Sequence, residues 1–134
     1  MWAVLASAAW AQQPPGYAFD RPEVLASQRV WGIAHGVRLL AHACARAGYG
    51  AAAEAYVAWQ ERELPAILAM SRELAEHYFG EPEAAPDQLA AMLGLQHTLS
   101  LAQEALEPAC TTLAEALAQS RYDLSGRREE FLKR

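Results

Sequence analysis

Apolar positions recur along this chain at intervals of three and four residues, and the sharpest run lies between Pro86 and Gln119. Met92, Leu95, Leu99, Ala102, Leu106, Ala109, Leu113 and Ala116 fall on one stripe of a helix with a seven-residue repeat. The pattern predicts a long third helix that the upstream chain is built to cover. Gly94 is accommodated inside it at a cost of about 1 kcal/mol against alanine. Pro108 bends it without dividing it, because the register matches on both sides.

Two helices precede it. The first is expected to start near Asp20, where Asp20 and Glu23 have capping-box spacing and Pro22 suits the first turn. Its seam is Val30, Ile33, Val37, Leu40 and Cys44, and Gly48 and Gly50 end it. The second runs from about Ala51 to Phe79 and stops at Gly80. Its seam reads Val57, Gln60, Leu64, Ile67, Ser71, Leu74 and Tyr78, with a kink or short break expected over residues 61–65 because Pro65 removes a backbone bond. Beyond Tyr122 the pattern fades, and Asp123 or Ser125 could cap a last short helix ending in Phe131-Leu132. No segment alternates with period two between turn signals, so strands are not predicted. The expected fold is all-α: an antiparallel three-helix bundle with proline-kinked helices plus a short C-terminal fourth helix.

The N-terminal stretch has a different character. Residues 1–11 (MWAVLASAAWA) carry no charge and are too few to span a bilayer, which needs about 20 apolar residues. They end in Ala9-Trp10-Ala11, a small-x-small pattern like a signal-peptidase site, but no basic residue precedes Arg21. The segment reads as the back half of a secretory signal, the rival being an ordinary N-terminal helix of a cytoplasmic protein. Residues 12–20 (QQPPGYAFD) read as a linker, and residues 21–134 as the helical domain. On this reading the mature chain is periplasmic and has no integral membrane segment. The general look is similar to that of small secreted bacterial proteins, a compositional likeness that implies no activity.

Charge narrows the partners. The 134 residues carry a formal −5 with a pI near 5.3, which argues against a nucleic-acid-binding module. The basic excess lies after residue 120 and reads either as a solvated tail or as a tip for an acidic partner or anionic lipid.

Among groups that could do chemistry, Cys44 and Cys110 lie on different predicted helices, and both should face inward. In an oxidising compartment they would form a structural disulfide, worth on the order of 4 kcal/mol for a loop of that size. In the cytoplasm they would be two reduced, buried, small apolar groups. His35 and His42 are two turns apart, about 10 Å along a helix axis, so they could not grip one ion without help from another helix, and copper or zinc would be held by His35 or His42 with His97, Met92 or Met70. That leaves copper or zinc binding by His35, His42 and His97 as the alternative to a plain binding module. No nucleophile motif, phosphate loop or Glu-x-x-His pair is present, so neither an enzyme nor a cofactor is expected. The remaining candidates are aromatic. If Tyr56 and Trp59 stay exposed beside Pro65, with Trp31 near, they would anchor a protein partner; otherwise they are core. A homodimer is compatible with the sequence.

Overall fold

The computed structural model describes residues 18–133, and every regular element among them is helical. We label the helices α1 (Pro22–Arg46), α2 (Gly50–Phe79), α3 (Pro86–Met92), α4 (Gln103–Leu117) and α5 (Leu124–Leu132); a single 3-10 turn, Ser120–Tyr122, precedes α5. The signal reading of residues 1–11 and most of the linker lie outside the described residues. Within the linker, Ala18 is buried and its carbonyl accepts from the Arg21 N–H at 3.0 Å, whereas Phe19 and Asp20 are exposed.

Helix α1 starts without the expected capping box. Its N-cap is Arg21, with no side-chain cap, and Pro22 supplies the preset backbone angle. Glu23 pairs instead with Arg21 at 2.9 Å. A bond from its own backbone N–H, and then Arg21, hold its carboxyl below the ordinary carboxylate range. The helix ends in a Schellman motif: the Tyr49 N–H reaches the Cys44 carbonyl, the Gly48 N–H reaches that of Ala45, and Gly48 takes φ +91°.

Helices α1 and α2 run antiparallel. Trp31 Nε1 donates to Ser71 Oγ at 2.9 Å, Tyr78 Oη donates to Gln28 Oε1 at 2.6 Å, and His42 meets Tyr56 edge-on. Each step forward on α1 is thus matched by a step back on α2. The predicted α1 seam is right: Val30, Val37 and Cys44 are buried, and Ile33 and Leu40 pack against the core. The predicted α2 seam is right at Leu74, with Ile67 and Tyr78 packed against the core, and is displaced by about one residue elsewhere. Its buried line is Ala52, Trp59, Glu63, Met70 and Leu74, whereas Val57 and Leu64 are exposed. Both prolines sit inside uninterrupted helices, so the break expected over 61–65 is absent. Pro65 and Pro108 are exposed, and the carbonyl that each leaves unpaired one turn earlier lies on an exposed residue, Glu61 or Glu104, where water can reach it.

The long third helix is the main correction. The stripe from Met92 to Ala116 does not lie on one helix, because α3 stops at Met92 and α4 starts only at Gln103. Gly94 takes φ +71° and closes a second Schellman motif, in which the Leu95 N–H reaches the Ala90 carbonyl and the Gly94 N–H reaches that of Ala91. The same glycine that looked like a tolerated helical residue is a stop. Within α4 the buried line is Cys110, Leu113 and Leu117; Leu113 lies on the predicted stripe, while Cys110 and Leu117 lie one position beyond Ala109 and Ala116, which places Cys110 directly on the core face.

The C-terminal helix is no solvated tail. Asp123 caps it by accepting from the Gly126 N–H at 3.4 Å, and the buried Glu63 carboxylate accepts from the Leu124 N–H at 2.8 Å. Arg128 reaches across to Ser27 Oγ at 2.8 Å and to Glu73 at 3.4 Å, while the Ser27 hydroxyl donates to the same Glu73 carboxylate. Arg29 and Arg127 lie over the Phe131 ring. Much of the basic excess is therefore spent within the fold.

The sign of one substitution separates a stop from a mid-helix glycine. In a continuous helix Gly94→Ala would add roughly 0.5–1 kcal/mol of stability. With Gly94 left-handed, the same change should cost about 1–2 kcal/mol, read as a lower midpoint in urea unfolding.

Candidate functional site

A concavity lies between α1 and α2. It is a cleft of about 760 Å³, lined also by the turn after α2 and the first residues of α3, within the segment 82–88. Helix α1 contributes Trp31, Ala34, His35 and Arg38; helix α2 contributes Tyr56, Trp59, Gln60, Leu64, Ile67, Leu68, Ser71 and Arg72. Most of the displaced α2 seam is therefore here. Gln60, Leu64, Ile67 and Ser71 line the cleft, and Ser71 also accepts from Trp31 across the α1–α2 contact. Leu64 is 41% exposed and Leu68 58% exposed, so the outer lip of the cleft is apolar and open to water.

Trp31 and His35, on the inner wall, have their polar atoms matched. Trp31 is buried, its indole N–H is held by Ser71, and its ring stacks on His35 at 5.6 Å. His35 is only 7% exposed, and both of its ring nitrogens are engaged. Nε2 donates to the Gln96 carbonyl at 2.6 Å, and Nδ1 accepts from Arg38 Nη2 at 3.1 Å. The arginine can only donate, so this arrangement selects the neutral Nε2–H tautomer. It also ties the 95–102 connection to α1. Tyr56 is half-buried above Trp59; burial raises its phenol above the ordinary value, against the opposing pull of the Arg38 charge.

Arg38 is the distinctive group. It is half-buried at the cleft wall, and among the described residues no carboxylate lies within ion-pair distance of it. Arg72, exposed on the same cleft, likewise has no carboxylate partner among them.

The sequence-predicted residues are distributed unevenly. Cys44 and Cys110 are joined in a disulfide, with Cα atoms 5.6 Å apart. Trp31, Tyr56 and Trp59 come together at the cleft, but Trp59 is no exposed anchor. It is 1% exposed, and its indole N–H donates to the Tyr122 carbonyl at 3.0 Å, because the α2 register turns it inward under the 3-10 turn. The histidines do not converge. His35 spends both nitrogens on protein groups, His42 faces Tyr56, and His97 is exposed on the 95–102 connection. Among the described residues no group of three or more His, Cys, Asp or Glu side chains is placed to hold a metal ion. Sequence reasoning missed Arg38 as a site residue, although it lies in the line Trp31, His35, Arg38, His42 that runs beside the α1 seam. Glu63 was also missed; its charge made a buried position in the middle of α2 unexpected.

A second, smaller concavity of about 260 Å³ borders Ser27, Glu73 and Arg128. Its polar groups already satisfy one another, and it sits where α5 docks on α1 and α2. Among the described residues no helix is long and apolar enough to cross a membrane. No protein-family model, curated protein or solved structure matches the chain, so its own site chemistry is what bears on function.

Two measurements check this geometry. Trp59→Ala should cost about 3–5 kcal/mol in urea unfolding, as for a large buried side chain; an unchanged midpoint would mean an exposed ring. Tyr56 gives a signed pH effect. A phenol raised by folding keeps its proton where the unfolded chain loses it, so its contribution is complete below the ordinary tyrosine value of about 10. That contribution is lost as pH rises through the folded value. Tyr56→Phe should therefore flatten part of the alkaline fall in stability, as followed by unfolding midpoints at stepped pH.

Proposed function

We propose that this chain is a small exported, periplasmic helical binding module without catalytic activity, whose frame is braced by the Cys44–Cys110 disulfide. In this reading α1, α2 and α4 act as the bundle and α5 as its brace. The observation that carries the proposal is the preformed α1–α2 cleft, with fixed aromatic and histidine side chains inside and an apolar lip outside. A rigid concave surface of this kind, with a few oriented polar groups, is how small ligands and anchoring side chains are received.

Export is supported by the disulfide, which persists in oxidising compartments, and by the Ala9-Trp10-Ala11 pattern at the chain start. The non-enzymatic reading rests on how the reactive groups are used. His35 has no free ring nitrogen to act as a base, and the buried Ser27 hydroxyl donates to Glu73 while accepting from Arg128. Copper or zinc binding by His35, His42 and His97 draws no support from their placement.

A fragment library screened against the 15N-labelled chain should give hits whose amide shifts cluster on Ala34, Gln60, Ile67 and Ser71. Shifts scattered over the surface, or none, would remove the cleft as the binding site. The export half is read separately, by intact mass of the chain recovered from a periplasmic fraction. It should show cleavage after Ala11 and the loss of two thiol hydrogens.

A further inference from the structure

The structure assigns a ligand class to the cleft: we propose that it binds a small amphipathic carboxylate, with the anion on Arg38 and the apolar body against Trp31, Leu64 and Ile67. This deepens the binding reading above and rests on it. The charge of Arg38 is unbalanced among the described residues. A guanidinium offers five N–H donors. Arg38 uses one of them, from Nη2 to His35 Nδ1, and the described residues supply no carboxylate for the rest. A half-buried cation without a counter-charge carries a desolvation cost that an incoming anion relieves.

The surroundings indicate what kind of anion. His35 is held by the Gln96 carbonyl on its other side, so the Arg38–His35 pair is oriented before any ligand arrives. A planar, oriented fork matches the two oxygens of a carboxylate. Arg72, on the same cleft, adds a second positive charge from α2. Glu83 is the one carboxylate among the described lining residues, and it lies exposed on the 82–88 segment. The walls near Arg38 are aromatic and aliphatic, which suits a ligand with one charged end and an apolar remainder better than a compact, multiply charged ion. The volume, about 760 Å³, lies inside the range of roughly 300–1,000 Å³ typical of small-molecule sites.

Decanoate below its micelle-forming concentration, set beside decan-1-ol, isolates the anion. The two probes share a chain length and differ in head group. Isothermal titration of the full chain should give decanoate an affinity about tenfold higher than decan-1-ol, the worth of one charge-assisted bidentate contact. Arg38→Gln should erase that advantage. Arg38→Lys, which keeps the charge and loses the fork, should retain part of it. The assignment is overturned if the wild-type chain binds the two probes equally, if the decanoate advantage survives Arg38→Gln, or if neither probe binds. Equal binding, or fragment hits on the cleft without decanoate binding, would leave the binding module standing and remove only the carboxylate. The wild-type comparison needs no variant, so a poorly folding Arg38→Gln does not shield the proposal.

Discussion

The covalent link between Cys44 and Cys110 is the constraint on which the arrangement of this chain turns. It joins the last buried turn of α1 to the core face of α4, across 66 positions of sequence. Between those points the chain makes one long helix, a short one, and a non-helical passage from Leu93 to Ala102. That passage brings α4 back to the core without a regular path to guide it. A tie at its far end fixes which face of α4 meets α1 and α2, and Leu113 and Leu117 then follow on the same side. Much of the stabilisation from such a link comes from restricting the unfolded chain. Here it also sets the register of a helix whose own amphipathic stripe was ambiguous by one residue.

Polar groups do a comparable job at the other end. Glu63 is 8% exposed and would be costly there without partners. It has them in the Leu124 N–H at the start of α5 and the Arg62 guanidinium at 3.6 Å. A carboxylate at a helix start satisfies an otherwise orphaned donor and opposes the macrodipole. Trp59 holds the Tyr122 carbonyl, and Arg62 the Leu117 carbonyl at 3.4 Å, so α2 grips the whole turn that leads into α5. Ser27, Glu73 and Arg128 then fasten the body of α5 to α1 and α2 together. These contacts explain why a stretch with little apolar content packs at all: its placement is specified by matched hydrogen bonds more than by buried area.

The cleft is a consequence of the same architecture. Leu64, Ile67 and Ser71 of α2 share that space with Trp31, His35 and Arg38 of α1. His35 links the cleft to the turn at Gly94, since the carbonyl it holds belongs to Gln96 in the passage that replaced the helix. The passage that stands where a longer helix was predicted therefore also orients His35 in the cleft wall.

The sequence by itself determined the all-helical class, the extent of α1 and α2, the glycine stops at Gly48 and Gly80, a last short helix capped by Asp123 or Ser125, and two cysteines able to meet inside. These depend on local spacing and on short-range backbone chemistry, both of which can be read along the chain. Tertiary structure decided what local spacing leaves open. A glycine in a heptad can be a tolerated residue or a left-handed stop, and only the path of the following chain selects one. A stripe on α2 can be rotated by a residue at little local cost, and only its neighbours decide that Trp59 and Glu63 go inward while Leu64 goes out. Arg38 acquires meaning in the same way. Its charge is visible in sequence, but the absence of a carboxylate beside it, among the described residues, is a property of three-dimensional surroundings that no periodicity encodes.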